Sequence, residues 1–106
     1  MDVKEITSGE ELETVKRKAL ALVDFGAPWC APCSLQEPII QQLAAQFKGK
    51  VLIGAVNIDE SRDVALNLEI QSIPTLILFK NGIEMQRFVG LQSEDTLSEA
   101  LEKLLK

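Results

Sequence analysis

The run Ala21-Leu22-Val23-Asp24-Phe25 is apolar on successive residues, with a single carboxylate set into it. A strand with one wet face alternates apolar and polar side chains, so an unbroken apolar run fits a strand covered on both faces. Covering both faces of a sheet takes helices on either side of it. The rest of the chain supplies them in alternation.

Val3–Ile6 is short, carries β-branched residues and reads as an edge strand. Ser8-Gly9-Glu10-Glu11 matches a capping box, with Leu12, Val15 and Ala19 following at helical spacing. Cys33–Phe47 places Leu35, Ile39, Leu43, Ala44 and Phe47 near a 3.6-residue period, which predicts an amphipathic helix. Pro38 lies inside it and is expected to kink it and free a carbonyl. Val51–Asn57 is a further apolar strand, and Asp59 or Ser61 can cap a short helix ending at Leu68. Thr75–Phe79 and Glu84–Val89 flank Lys80-Asn81-Gly82-Ile83, where Asn-Gly signals a hairpin. Ser93-Glu94-Asp95 opens a last helix, with Leu97, Leu101, Leu104 and Leu105 as its apolar face. The order β-α-β-α-β-α-β-β-α predicts an α/β fold. Its central sheet is mixed, parallel through the βαβ units and antiparallel in the last hairpin, with helices on both faces.

A chain of 106 residues, 46% of them hydrophobic, suits one domain spanning residues 1–106. The 16 acidic residues outnumber the 11 Lys and Arg, which argues against nucleic acid as a partner. Lys16-Arg17-Lys18 is only a short basic cluster. No apolar run approaches the ~20 residues that span a bilayer. The opening Met1-Asp2-Val3-Lys4-Glu5 puts charges where a signal peptide has its apolar stretch. The expectation is a cytoplasmic monomer without membrane contact.

The chain has two cysteines and no histidine. Two thiols cannot complete a four-ligand structural zinc site, and a Cys-His catalytic pair is excluded. Both cysteines lie in Trp29-Cys30-Ala31-Pro32-Cys33, where a buried strand gives way to a helix. With Cys30 as N-cap, its sulfur can accept a hydrogen bond from the third helical N–H, that of Cys33, since Pro32 has none to offer. The helix dipole favours a thiolate there by about 0.3–1 kcal/mol. One turn also brings the two Cα atoms within the roughly 4.4–6.8 Å that a disulfide accepts. The pair can alternate between dithiol and disulfide without refolding. Cys33, one turn in, is expected to be the more shielded and to keep the higher pKa. Two buried cysteines acting as small hydrophobes, or half of an intermolecular metal site, would need neither Pro32 nor the cap position.

The motifs Leu22-Val23-Asp24-Phe25 and Ala27-Pro28-Trp29-Cys30-Ala31-Pro32-Cys33, with Pro38, resemble the active-site stretch of the thioredoxin family. Asn57-Ile58-Asp59, Ser72-Ile73-Pro74-Thr75, Phe79-Lys80-Asn81-Gly82 and Val89-Gly90 resemble its later landmarks, in the same order. The resemblance implies a thioredoxin-like fold and a protein-disulfide reductase. Cys30 would be the attacking thiolate, Cys33 the resolving thiol, and Asp24 the buried carboxylate that helps deprotonate Cys33. Pro74 would be a cis-proline facing the dithiol. Trp29, Ile58, Ile73, Pro74, Val89 and Gly90 would form the substrate surface, with Pro32 and Pro38 structural. The resemblance implies no metal and no bound cofactor. The partners would be disulfide-containing proteins and a thioredoxin reductase that recycles the oxidised form.

Taken without the family, Asp24 could be a satisfied structural carboxylate, Trp29 a core residue, and Pro74 an ordinary trans-proline. Three positions depart from the family pattern. Ala31 replaces a common Gly, Gly26 replaces a frequent aromatic and is expected to loosen the flank of the site, and Ala55 replaces a Lys near the buried carboxylate. Loss of that cation is expected to leave Asp24 harder to ionise. The rival readings are an oxidant or isomerase, and a thioredoxin-like binding subunit whose redox activity is incidental.

Overall fold

The computed structural model describes residues 3–106. Nine elements follow one another: β1 (Val3–Glu5), α1 (Gly9–Lys16), β2 (Leu20–Gly26), α2 (Ala31–Gln46), β3 (Leu52–Asn57), α3 (Arg62–Asn67), β4 (Thr75–Lys80), β5 (Ile83–Val89) and α4 (Glu94–Leu105). The five strands form one mixed sheet in the order β1-β3-β2-β4-β5. The apolar run sits on the central strand β2, paired in parallel with β3 and antiparallel with β4.

Alternate residues of β2 enter two cores. Leu20 and Leu22 join Leu76, Leu78 and Ile53 against Ile40 and Leu43 of α2 and Leu97 and Leu101 of α4. Ala21, Val23 and Phe25 join Ile77 and Phe79 against Leu12 and Val15 of α1 and Val64 of α3. Asp24 follows Leu20 and Leu22 in phase and so faces the α2 side of the sheet.

The pairing of β4 differs from a simple succession of parallel βαβ units. β3 is six residues, about 20 Å long, whereas α3 is also six residues and spans only about 9 Å. So short a helix does not carry the chain back along the sheet. β4 therefore starts at the end where β3 finished and runs antiparallel to β2.

Caps and turns follow local chemistry. The Ser8 side chain accepts the Glu11 N–H at 3.1 Å, but the Glu11 carboxylate reaches past the N-cap residue to the Thr7 N–H at 3.2 Å. α1 stops at Lys16, and Ala19 is exposed rather than on an apolar helix face. The chain leaves the helix because the hairpin turn captures it: Gly82 N–H donates to the Lys16 carbonyl at 2.7 Å and Asn81 N–H to that of Ala19 at 3.3 Å. That turn holds Asn81 and Gly82 at φ of 53° and 86°, the left-handed pair a two-residue hairpin needs. The N-cap of α3 is Ser61, not Asp59, and its hydroxyl bonds to the Thr7 carbonyl rather than to the helix. The Ser93 side chain caps α4 by accepting the Thr96 N–H at 3.2 Å. α2 continues through Pro38 to Gln46.

Candidate active site

Strand β2 ends at Gly26, and the chain turns through Ala27, Pro28 and Trp29 into α2. Cys30 is the N-cap, in extended backbone conformation, and its Sγ accepts the Cys33 N–H at 3.2 Å. Pro32, in the first turn, has no N–H to compete. The Cys30 and Cys33 Cα atoms are 5.2 Å apart and their sulfurs are joined in a disulfide. Local backbone chemistry thus puts the bond at the positive end of a sixteen-residue helix.

The expected contrast in exposure is absent in this oxidised form. Cys30 is 5% exposed and Cys33 8%. The disulfide covers both sulfurs, and that of Cys30 lies 3.9 Å from the Ile73 carbonyl oxygen, under the 72–75 loop. The difference between the two is therefore electrical and positional: Cys30 at the helix terminus, Cys33 inside the first turn.

Asp24 and Cys33 line one open cleft of about 410 Å³ between α2 and the β1-β3-β2 part of the sheet. Asp24 is buried, and no donor among the described residues reaches its Oδ1. Ala55 is its direct neighbour on β3, so the side chain that could have paired with it is a methyl group. The other ionisable groups of the cleft are Glu5 and Glu37. Burial, reinforced by the Glu37 charge, pushes the Asp24 carboxyl up from 3.8 to about 7. The lost cation is legible in the sequence; the added anion at Glu37 is not. At Gly26 a Cβ would sit 3.2 Å from both Cβ and Sγ of Cys33, close enough that Cys33 would have to give by a few tenths of an ångström.

Trp29 is 69% exposed, which rules out a core role. Its Nε1–H donates to the Asp59 carboxylate at 2.8 Å, so Asp59 anchors the indole instead of capping a helix. The Ile73–Pro74 peptide bond is cis, as the resemblance implies. Pro74 is buried, Ile58 and Ile73 are half-buried, and Val89 is exposed. The Gly90 N–H donates to the Pro74 carbonyl at 2.8 Å, joining the end of β5 to the start of β4. Pro38 is exposed on α2 and is not among the residues lining the cleft. Among the described residues, no group of three His, Cys, Asp or Glu side chains could hold a metal ion.

A disulfide across the first turn of a helix, with a buried carboxyl in the same cleft, is the arrangement of a thiol–disulfide oxidoreductase. A family model described as Thioredoxin matches residues 2–103. The chain is 45% identical to a thioredoxin of Chlamydia pneumoniae over 98 residues, covering 92% of this chain and 95% of that one. It is 37% identical to a thioredoxin of Staphylococcus aureus over 105 residues, 99% of this chain and all of that one. The solved structure of a mutant thioredoxin from Halobacterium salinarum NRC-1 superposes with a TM-score of 0.92 at 31% identity, covering 99% of this chain and 93% of that one. The chain belongs to the thioredoxin family: it has the thioredoxin-like fold, and it is an oxidoreductase that acts on disulfides through a C-x-x-C pair.

Proposed function

We propose that this chain is a general protein-disulfide reductase, a single-domain monomer of the cytoplasm. The observation that carries the reading is the Cys30 sulfur at the N-cap of α2, hydrogen-bonded by Cys33 N–H, with Asp24 in the cleft beside Cys33.

In the reduced form, Cys30 is the thiolate and attacks one sulfur of a substrate disulfide. That S–S bond breaks, and the first substrate thiolate leaves with the electron pair. Asp24 in its ionised form then takes the Cys33 proton. The Cys33 thiolate attacks Cys30 Sγ, the Cys30–substrate bond breaks, and the second substrate thiolate leaves. The dithiol has lost two electrons and the substrate has gained them. Trp29, Ile58, Ile73, Pro74, Val89 and Gly90 form the docking surface, with Ile73 offering backbone to the substrate and Pro74 packing against it. Pro32 and Pro38 are structural. Recycling falls to a thioredoxin reductase, and neither a metal nor a bound cofactor takes part.

The acidic balance and the Pro between the cysteines favour reduction over oxidation. Reduction of insulin disulfides tests the activity, and equilibration with a dithiol buffer tests the direction. A potential near that of the periplasmic oxidants, about −120 mV, would overturn the reductase reading, while one near −270 mV would support it.

A further inference from the structure

α2 buries Cys33, Gln36, Ile40, Leu43 and Ala44. Gln36 is the polar member of that stripe, and it is fully buried, at 0% exposure. A buried side-chain amide is costly unless its groups are paired. Here both ends are paired, and with one backbone residue: Gln36 Nε2 donates to the Gln92 carbonyl at 3.0 Å, and Gln36 Oε1 accepts the Gln92 N–H at 2.8 Å. Gln92 lies in the link between β5 and α4, and its own Nε2 donates back to the Gly90 carbonyl at 3.1 Å. Gly90 N–H in turn donates to the Pro74 carbonyl.

The helix that carries the dithiol is thus tied through Gln36 to Gln92, then to Gly90, then to Pro74. Val89 and Leu91, on either side of Gly90, are 61% and 46% exposed. Two apolar side chains stand out from a short link whose backbone is held from below. An unpaired link of this kind would gain freedom and would have to be ordered again each time a substrate docks.

We propose that Gln36 is a positioning residue for protein substrates. Its amide clasp on Gln92 holds the Val89–Leu91 segment in fixed register with Cys30, so that an apolar stretch beside a substrate disulfide docks without loop ordering. This rests on the reading that Val89 and Gly90 belong to the docking surface. A small disulfide reaches Cys30 without covering Val89 or Leu91 and does not draw on the clasp. Gln36 therefore sets a preference for protein disulfides over small ones.

The test compares wild type with Gln36→Leu, which keeps the volume and removes both hydrogen bonds, and with Gln36→Met, the unbranched apolar match to Gln, which also removes the donor to the Gln92 carbonyl and the oxygen that accepts its N–H. Amide hydrogen exchange at Gln92 reports the clasp. The kcat/KM for insulin disulfides, divided by that for a small aromatic disulfide, reports its use. In Gln36→Leu the Gln92 amide exchanges faster, and the ratio falls about fivefold or more through KM. Gln36→Met is expected to show the same faster exchange and the same fall in the ratio, and stands alone as the test if the Leu variant does not fold. A faster Gln92 amide with an unchanged ratio would overturn the proposal, as would a Gln92 amide that is unprotected in the wild type. If wild type reduces neither disulfide while its Gln92 amide is protected, the reductase reading fails and the clasp stands.

Discussion

Asp24→Asn is expected to reverse sign with pH. In the oxidised protein the Asp24 carboxyl titrates at about 7 instead of 3.8, chiefly because it is buried and secondarily because of Glu37. Between those two values the native state holds a proton that the unfolded chain has released. Stability therefore falls as pH rises through that window, and the full penalty persists above it. The gap is roughly three pH units at about 1.4 kcal/mol each, a penalty of about 4 kcal/mol at alkaline pH. With Asp24 only 9% exposed, solvent screening removes little of it. The substituted amide would not ionise, but its donors would enter a site where Oδ1 already lacks a partner among the described residues, at about 1–3 kcal/mol at any pH. The variant should be more stable than wild type by about 1–3 kcal/mol near pH 9, and less stable by a similar amount near pH 4. Urea melts of both oxidised proteins across that range decide it. A difference that stays constant with pH, or that favours wild type more as pH rises, would refute the reasoning. If Asp24 takes the Cys33 proton as proposed, the same variant should also resolve mixed disulfides more slowly.

Cys33→Ser should accumulate substrate on Cys30 as a stable mixed disulfide, and Cys30→Ser should trap little; mass spectrometry showing equal trapping would count against the division of labour. Glu37→Gln should lower the pH at which Asp24 titrates, because a charge that raises it is gone; carboxyl-carbon NMR with an unmoved midpoint would show that burial acts alone. Trp29 emission should rise on reduction, since the disulfide beside the indole quenches it, and Asp59→Ala should broaden the indole N–H signal by freeing Nε1. Asn81→Ala should cost about 1–2 kcal/mol in thermal melts, as a side chain without local hydrogen bonding is held at φ of 53°; an unchanged melt would mean the turn relaxes.

The element order was legible because each strand and helix carries its own period, and the Asn81-Gly82 turn and the Ser8 and Ser93 caps are local chemistry. The N-cap placement of Cys30 was legible for the same reason. What escaped depends on contacts distant in sequence. Nothing near Ala19 announces that the hairpin turn will take the Lys16 and Ala19 carbonyls. The direction of β4 follows from the length of α3 relative to the sheet. Asp59 looks like a cap until Trp29, thirty residues away, is placed beside it. Glu37 stays exposed, and its effect on Asp24 arises only when α2 is laid over β2. Gln36 did leave a signal: it sits three residues after Cys33 and four before Ile40, on the helix's buried phase.

The strand at the margin of the sheet has a bearing on crowding. β5 leaves a seven-residue flank unpaired, with Ile83 at 65% and Met85 at 49% exposure, a composition that invites another chain to add itself and propagate into fibrils. Two features resist this. The β4–β5 register slips between Leu78 and Phe79, and an irregularity of that kind bends the ribbon so that a flat template is lost. Glu84 and Arg87, paired at 2.9 Å, fix charge along the same flank, so an incoming strand would have to bury it. Backbone irregularity and fixed charge thus act together at this margin to keep a second chain from extending the sheet.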